Sequence, residues 1–60
     1  MTKFYAFHDA QYGEDFVVWA SSEMSAWNAL YCADPDWADT QVSFIGEVSF
    51  EEQKSMKQFL

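Results

Sequence analysis

Residues 3–20 read KFYAFHDAQYGEDFVVWA, and in this stretch two runs rich in aromatic and β-branched residues flank a short polar connection. Such runs, free of glycine and proline, are typical of β-strands. We therefore predict strands over Lys3–His8 and Phe16–Ala20. Tyr12-Gly13 is a turn signal within the connection, and so short a link favours an antiparallel hairpin.

A helix is predicted directly after the hairpin. Ser22 (or Ser21) can accept a hydrogen bond from the unpaired amides of the first turn, and Glu23 suits the positive end of the helix dipole. Asp34-Pro35 ends this helix, because the residue before a proline is displaced from the α region. An apolar stripe at helical spacing predicts the buried face, and its members are Met24, Trp27, Leu30 and Tyr31. The segment Asp34–Thr40 is predicted to be a polar loop.

The C-terminal third predicts one more strand and one more helix. Gln41–Val48 is the third strand. Ser49-Phe50-Glu51-Glu52 has the S-x-x-E spacing of a capping box and predicts the start of a final helix, in which Glu51 can meet Lys54 three residues later. Apolar side chains are expected to pack this helix onto the rest, and they are Met56, Phe59 and Leu60.

The order β-β-α-β-α predicts a single α+β domain over residues 1–60. Its architecture is a small antiparallel sheet of about three strands, with the main helix packed on one face and a short C-terminal helix. The first or the third strand could be central. Phe16, Val18 and Trp27 are expected in the core. Because one helix covers one face, some of the side chains on the other are expected to be exposed, among Tyr5, Phe7, Trp19 and Ile45.

The charge balance is strongly acidic and excludes several functions. Ten carboxylates face three lysines in a chain of 60 residues without arginine, and the formal net charge is −7. Direct nucleic-acid binding needs a basic patch, which this composition does not provide. No run approaches the ~20 apolar residues of a membrane helix, and anionic headgroups would repel this surface. A lone cysteine, Cys32, favours a reducing compartment, so we predict a cytoplasmic protein.

No catalytic site, metal site or cofactor is predicted. His8 and Cys32 are the only obvious catalytic candidates, and nothing in their spacing favours contact between them. Asp34, Asp36 and Asp39 suggest calcium, but a calcium-binding EF-hand loop needs a glycine at position six and a glutamate at position twelve. Counted from Asp34, those positions hold Asp39 and Ile45. We therefore expect a binding protein rather than an enzyme.

The carboxylates form three clusters along the chain, and each is a candidate contact surface. DNA presents closely spaced phosphates, and a surface of carboxylates can fill the same basic groove. An alternative interpretation is that the acids only confer solubility. The predicted partner-binding residues are Asp34, Asp36, Trp37 and Asp39 in the loop after the main helix, Glu14 and Asp15 at the hairpin, and Glu47, Glu51 and Glu52 near the end of the third strand.

Two resemblances to known proteins bear on function. In size and in the order of its predicted strands and helices, the chain resembles the small RNA polymerase inhibitor of T7-like phages. The matching residues are Lys3-Phe4-Tyr5-Ala6, Glu14, Phe16, Ala20-Ser21, Ala26, Ala29, Val42 and Val48. That family presents arginines on its last strand, and this chain has none, so no functional residue is carried across. In size, acidity and lack of arginine the chain also resembles the small anti-CRISPR proteins and other phage-encoded DNA mimics.

The second resemblance implies a protein that occupies the DNA-binding or PAM-reading groove of a host defence complex. The resulting hypothesis is a phage-type inhibitor, in the cytoplasm of an infected bacterium, that blocks access of DNA to a basic groove. Polymerase inhibition without mimicry is an alternative. A second alternative is a small scaffold domain that self-associates through its open aromatic face or a free strand edge. The sequence is compatible with a monomer or a weak homodimer.

Overall fold

The computed structural model describes residues 1–59 and confirms the α+β class. Within those residues it contains a four-stranded mixed sheet, in the order β3-β1-β2-β4, and three helices. The elements are β1 (Lys3–Asp9), β2 (Glu14–Ala20), α1 (Glu23–Ala33), α2 (Pro35–Thr40), β3 (Val42–Val48), α3 (Phe50–Gln53) and β4 (Lys57–Gln58). Leu60, one of the three residues expected to pack the final helix, lies outside the described residues.

The predicted hairpin is confirmed, and β1 lies between β2 and β3. β1 pairs with β2 antiparallel, from Lys3 opposite Ala20 to Asp9 opposite Glu14. It also pairs antiparallel with β3. Gly13 has a φ of 66° in the connecting turn, a left-handed conformation that glycine adopts without steric cost. An interior strand is buried on both faces, which explains why apolar side chains occur on both faces of β1.

The three predicted strands pair antiparallel, but the sheet has a fourth strand and the final helix is shorter than predicted. The capping box is present, since Ser49 Oγ accepts from the Glu52 N–H and Glu52 Oε1 accepts from the Ser49 N–H, both at 3.1 Å. The helix it starts nevertheless ends at Gln53, and the chain then forms β4, parallel to β2. A helix this short has little stability of its own. The free edge of β2 offers the backbone a better partner: the Phe59 N–H donates to Val17 O at 2.9 Å.

The predicted loop over residues 34–40 is also wrong, because Pro35–Thr40 is helix α2. Proline is favoured in the first turn of a helix, where its missing N–H costs nothing. Asp34 accepts from the Trp37 N–H at 3.2 Å and caps that turn. The Asp34-Pro35 pair therefore ends α1 and begins α2. Ala38 of α2 is buried against the core.

Helix α1 packs on the sheet through a narrower face than its apolar stripe predicts. The Ser22 cap is confirmed, since its Oγ accepts from the Ser25 N–H at 3.1 Å. Ala26 and Leu30 are buried, and Trp27 is partly buried against the same core. Met24 and Tyr31, by contrast, are 81% and 40% exposed. The small sheet of this 60-residue chain does not cover the full width of the stripe.

The main core lies between the sheet and α1 and α2. Phe16 and Val18 are buried there, as predicted. Of the four side chains among which some were expected to be exposed, Tyr5 and Phe7 belong to this core, whereas Trp19 and Ile45 are exposed by 55% and 52%. The buried cluster comprises Tyr5, Phe7, Phe16, Val18, Ala26, Leu30 and Ala38.

The second face of the sheet is covered in part by residues 49–56. They connect β3, at one edge of the sheet, to β4 at the other, and so they must cross β1 and β2. Ala6 and Val17 point away from the main core, yet neither is accessible to solvent. The Phe50 ring lies 6.2 Å from that of Phe4 on this face. This crossing is what buries the second set of apolar side chains on β1 and β2.

A β-bulge in β3 leads to the first testable prediction. Ala6 pairs with Gly46 and Phe7 with Phe44, so Ile45 is an extra residue. Gly46 has a φ of 149°, a conformation essentially restricted to glycine, although a Cβ there would have no heavy atom within 4 Å. We expect Gly46→Ala to lower the free energy of unfolding by about 1–3 kcal/mol through backbone strain alone. Urea denaturation measures this loss.

The control for that prediction is the glycine of the hairpin turn. Gly13 has a φ of 66°, which asparagine tolerates. Gly13→Asn is therefore expected to change the free energy of unfolding by less than about 1 kcal/mol. Equal losses in the two variants would contradict the proposed role of Gly46.

Candidate partner-binding surface

The fold brings two of the three predicted acidic clusters to one end of the sheet. β1 ends and β2 begins at the hairpin, and the Ala10 N–H donates to Gln41 O at 2.8 Å, which ties the end of α2 to the same place. We call this region the hairpin-end surface. It includes Asp9, Glu14 and Asp34, which line one groove, Asp15, which lies beside His8, and Asp36 and Asp39 on α2.

The third predicted cluster lies elsewhere. Glu47 is opposite Tyr5, near the other end of β1, and Glu51 and Glu52 are on α3 at the second face of the sheet. The nine predicted contact residues therefore do not form one surface. Six of them lie at the hairpin end, and they are Glu14, Asp15, Asp34, Asp36, Trp37 and Asp39.

The three lysines divide unequally between these regions. Lys3 pairs with Glu47 at 3.4 Å and Lys54 pairs with Glu51 at 3.3 Å, both away from the hairpin end. Lys57 pairs with Glu14 at 3.6 Å. Among residues 1–59, Lys57 is thus the single lysine that balances the six carboxylates of the hairpin-end surface. The segments that form this surface carry six of the ten carboxylates of the chain.

Several of these carboxylates also have structural roles. Asp34 caps α2, and Asp9 Oδ1 accepts from the Gln11 N–H at 2.9 Å in the turn. Asp15 Oδ1 lies 2.7 Å from His8 Nδ1. Asp36 is exposed in the first turn of α2, where the helix dipole favours a negative charge. Asp39 is exposed as well and accepts from the Tyr31 hydroxyl at 3.4 Å, so both keep oxygens free for a partner.

A groove of about 460 Å³ opens on the hairpin-end surface. Asp9, Glu14 and Asp34 contribute carboxylates to it. We call it the aromatic groove, because four rings also line it, those of Tyr12, Phe16, Trp37 and Phe59. The sequence suggested the acids, but it did not indicate that Phe59 or Lys57 would reach this site, because both arrive on or beside the unpredicted strand β4.

Trp37 differs from its predicted position in an open loop. It is half-buried on α2, and its ring centroid lies 5.7 Å from that of Phe16 and 6.2 Å from that of Phe59, with interplanar angles of 28° and 13°. The three rings form a stack that fixes α2 and β4 to the core. Trp37 therefore contributes a rigid wall to the groove, and its partly exposed side is available for contact.

Glu52 is held by its capping box, and this predicts a pH effect. The Ser49 N–H, and then the Ser49 hydroxyl, lower the pKa of Glu52 below its ordinary value. Because the pKa of Glu52 is lower in the folded state, the ionised carboxylate contributes to the free energy of unfolding. That contribution is complete above the unfolded-state pKa of about 4.3 and is lost as the pH falls through the lowered folded-state pKa.

The variant Glu52→Gln isolates this contribution, because glutamine keeps the acceptor oxygen of a capping box but does not titrate. We expect the free energy of unfolding of the wild type to fall relative to that of Glu52→Gln as the pH drops below about 4. Urea denaturation of both proteins between about pH 3 and pH 6 measures the difference. Parallel pH profiles would contradict the assignment.

A smaller aromatic patch lies at the opposite end of the sheet. The ring centroids of Phe4 and Trp19 are 4.4 Å apart, and Phe50 beside them is 63% exposed.

Cys32 is exposed and unpaired. Within residues 1–59, no helix is long and apolar enough to cross a membrane, and no group of three potential ligands is placed to hold a metal ion.

Comparison of the chain with protein-family models, with curated proteins and with solved structures finds no match. Function therefore has to be inferred from the chemistry of the hairpin-end surface.

Proposed function

We propose that this chain is a small inhibitor of the phage type, which binds the basic groove of a bacterial nucleic-acid-binding complex and blocks the access of DNA. The observation that supports the proposal is that the hairpin and the segment Asp34–Thr40 carry six of the ten carboxylates, of which Glu14 alone pairs with a lysine within residues 1–59. A charge difference of this kind matches the lysines and arginines with which such complexes hold phosphates.

The physical cost of the arrangement also favours a role in binding. Like charges gathered at one end of a small domain repel one another and lower its stability. Solubility alone requires negative charge but not its concentration on one surface. Placing Asp36 and Asp39 on a helix, rather than on a loop, holds their carboxylates in a defined arrangement. These carboxylates can then bind the groove of a partner without the entropy cost of ordering a flexible segment.

The expected mechanism is competition for the basic groove. Charge complementarity accelerates association and makes it sensitive to salt. At about 0.1 M ionic strength the Debye length is about 10 Å, and it falls to about 3 Å at 1 M, so high salt should release the partner. Double-stranded DNA should also release the partner, because the DNA and this chain bind the same cationic side chains of the partner. The CRISPR effector complexes of bacterial defence are one class of target for such a mimic, and RNA polymerase is another.

The proposal is tested by capture from a bacterial lysate on the immobilised chain, with elution by short double-stranded DNA. The test variant removes three hairpin-end charges, with Glu14→Gln, Asp36→Asn and Asp39→Asn. The matched control removes three charges elsewhere, with Glu23→Gln, Glu47→Gln and Glu51→Gln. Both variants have the same net charge, so any difference between them reports the position of the carboxylates.

The hairpin-end variant is expected to retain about tenfold less of the DNA-eluted protein than the wild type, which corresponds to ~1.4 kcal/mol. The control should retain within about twofold of the wild-type amount, because its substitutions affect only exposed side chains and their weak pairs. Equal retention by the two variants, or capture that DNA does not compete, would disprove the proposal.

Self-association is a second candidate function, and the exposed aromatic patch favours it. Trp19 and Phe50 are 55% and 63% exposed, and the outer edge of β3 has no strand beside it within residues 1–59. Sedimentation equilibrium tests this alternative. A dimer that dissociates on substitution of Trp19→Ser, and that is unaffected by the hairpin-end variant, would support a scaffold role in place of inhibition.

A further inference from the structure

The aromatic groove combines two features that together select a particular ligand chemistry. Its wall is the stack of Trp37 on Phe16 and Phe59, with interplanar angles of 28° and 13°. Its rim carries the carboxylates of Asp9, Glu14 and Asp34. Aromatic faces attract cations through their ring quadrupole, and carboxylates attract them through charge.

Asp9 is the most unusual member of the rim. It is 7% exposed, although an aspartate is rarely buried without a compensating partner. Its Oδ1 accepts from the Gln11 N–H, and no hydrogen bond to its Oδ2 is formed within residues 1–59. Among residues 1–59 no buried side-chain oxygen or nitrogen lacks a hydrogen-bond partner, so Asp9 Oδ2 is in contact with solvent in the groove. A donor that enters the groove can satisfy it.

A cation of the chain itself already occupies the rim. Lys57 Nζ lies 3.6 Å from Glu14 Oε2, a distance at which a charge pair is weak. Lys57 is on the two-residue strand β4, and its side chain is 68% exposed. It can therefore move out into solvent at little cost. The rim accepts an ammonium group but does not bind this one tightly.

We propose that the aromatic groove receives an arginine side chain of the partner protein, with its guanidinium stacked on Trp37 and its N–H groups donated to Asp9 and Asp34. This inference rests on the proposed function and specifies its anchor. Arginine fits better than lysine because a planar guanidinium can stack on a ring while donating several hydrogen bonds in a fixed geometry. Lys57 leaves Glu14 as the guanidinium enters.

The experiment is an NMR titration of the full chain with the peptide acetyl-Gly-Arg-Gly-amide, observed at the indole N–H resonances. The matched probe replaces arginine by citrulline, which has nearly the same shape but no charge. The Trp37 resonance, identified with the variant Trp37→Phe, is expected to shift and saturate with the arginine peptide alone. The resonances of Trp19 and Trp27, which do not line the groove, serve as internal controls.

Two variants test the rim directly. Asp34→Asn keeps the helix cap, since asparagine caps as well as aspartate, but it removes the charge, and it should weaken peptide binding about threefold. Lys57→Gln removes the competing ammonium and should strengthen binding by a similar factor of about three. An effect of opposite sign for either variant would overturn the inference, as would an equal shift with the citrulline peptide.

The same titration distinguishes an arginine site from a polyamine site. Spermidine that saturates the Trp37 shift at a lower concentration than the peptide would overturn the arginine assignment in favour of a polyamine. If the arginine peptide does not shift the Trp37 resonance, while capture of the partner still depends on the hairpin-end charges, the arginine site is disproved and the proposed function stands. If the peptide binds but capture is insensitive to the hairpin-end charges, the proposed function fails alone.

Discussion

The variant Phe7→Ala is expected to be largely unfolded or only marginally stable at about 25 °C. Phe7 has no exposed surface. Its ring lies 5.7 Å from Phe16, 4.9 Å from Trp27 and 5.4 Å from Phe44, so it joins β1 to β2, α1 and β3. Truncation of a buried phenylalanine costs about 3–5 kcal/mol. Proteins of this length have a total stability of about 3–9 kcal/mol, so the loss consumes most of it.

Urea denaturation followed by far-ultraviolet circular dichroism measures that loss. Phe50→Ala is the control, because the same atoms are removed from a ring that is 63% exposed. We expect the control to lose less than about 1 kcal/mol. A loss of under about 1 kcal/mol for Phe7→Ala, or comparable losses for the two variants, would show that the core is not organised around Phe7.

Truncation of residues 57–60 is expected to lower the free energy of unfolding by about 3 kcal/mol or more and to promote self-association. The truncation removes β4, which covers the edge of β2. It also removes Phe59, whose ring lies 6.0 Å from Phe16 and 6.2 Å from Trp37. The unpaired backbone of Val17 then offers a strand edge to a second copy of the chain.

Full-length Phe59→Ala separates the two effects. It removes the ring but keeps the backbone pairing of β4, so it should lose stability while remaining monomeric. Urea denaturation and sedimentation equilibrium, applied to both proteins, measure stability and association. A truncated chain that stays monomeric, with wild-type stability to within about 1 kcal/mol, would refute the role assigned to β4.

The hairpin-end surface links stability to the proposed function. Asp34 caps α2 and Asp9 orders the turn, while both also line the aromatic groove. Substitution of either by alanine would therefore disturb the fold and the site together. Amide substitutions keep much of the hydrogen bonding and remove the charge, so they separate the site from the fold. The exposed carboxylates of Asp36 and Asp39 can be neutralised with less structural consequence.

The elements that depend only on residues close together in the sequence were predicted correctly. The β1–β2 hairpin follows from two strand-forming runs and a glycine turn, and the two strands pair without interruption from Lys3 to Asp9. The caps at Ser22 and Ser49 involve residues three positions apart, so short sequence patterns contain all that is needed. The ion pair between Glu51 and Lys54 is of the same kind.

The wrong predictions concern choices that local patterns leave open. Asp34-Pro35 is compatible with a loop or with a new helix, and burial of Ala38 and stacking of Trp37 favour the helix. Residues 54–58 have no strong preference of their own. They follow the edge of β2 because its backbone groups are unpaired, and that edge is formed by residues about 40 positions earlier.

The excess of carboxylates, the hairpin, the main helix and the caps could be predicted, because they depend on composition or on residues within a few positions of one another. Long-range contacts were needed to bring Asp9 and Glu14 of the hairpin into one groove with Asp34, while Glu47, Glu51 and Glu52 lie apart. Such contacts also bring Phe59 and Lys57 to the aromatic groove. Their placement depends on the pairing of strands that are distant in sequence. That pairing is governed by the burial of apolar side chains and by hydrogen bonding at free strand edges, rather than by the preferences of neighbouring residues.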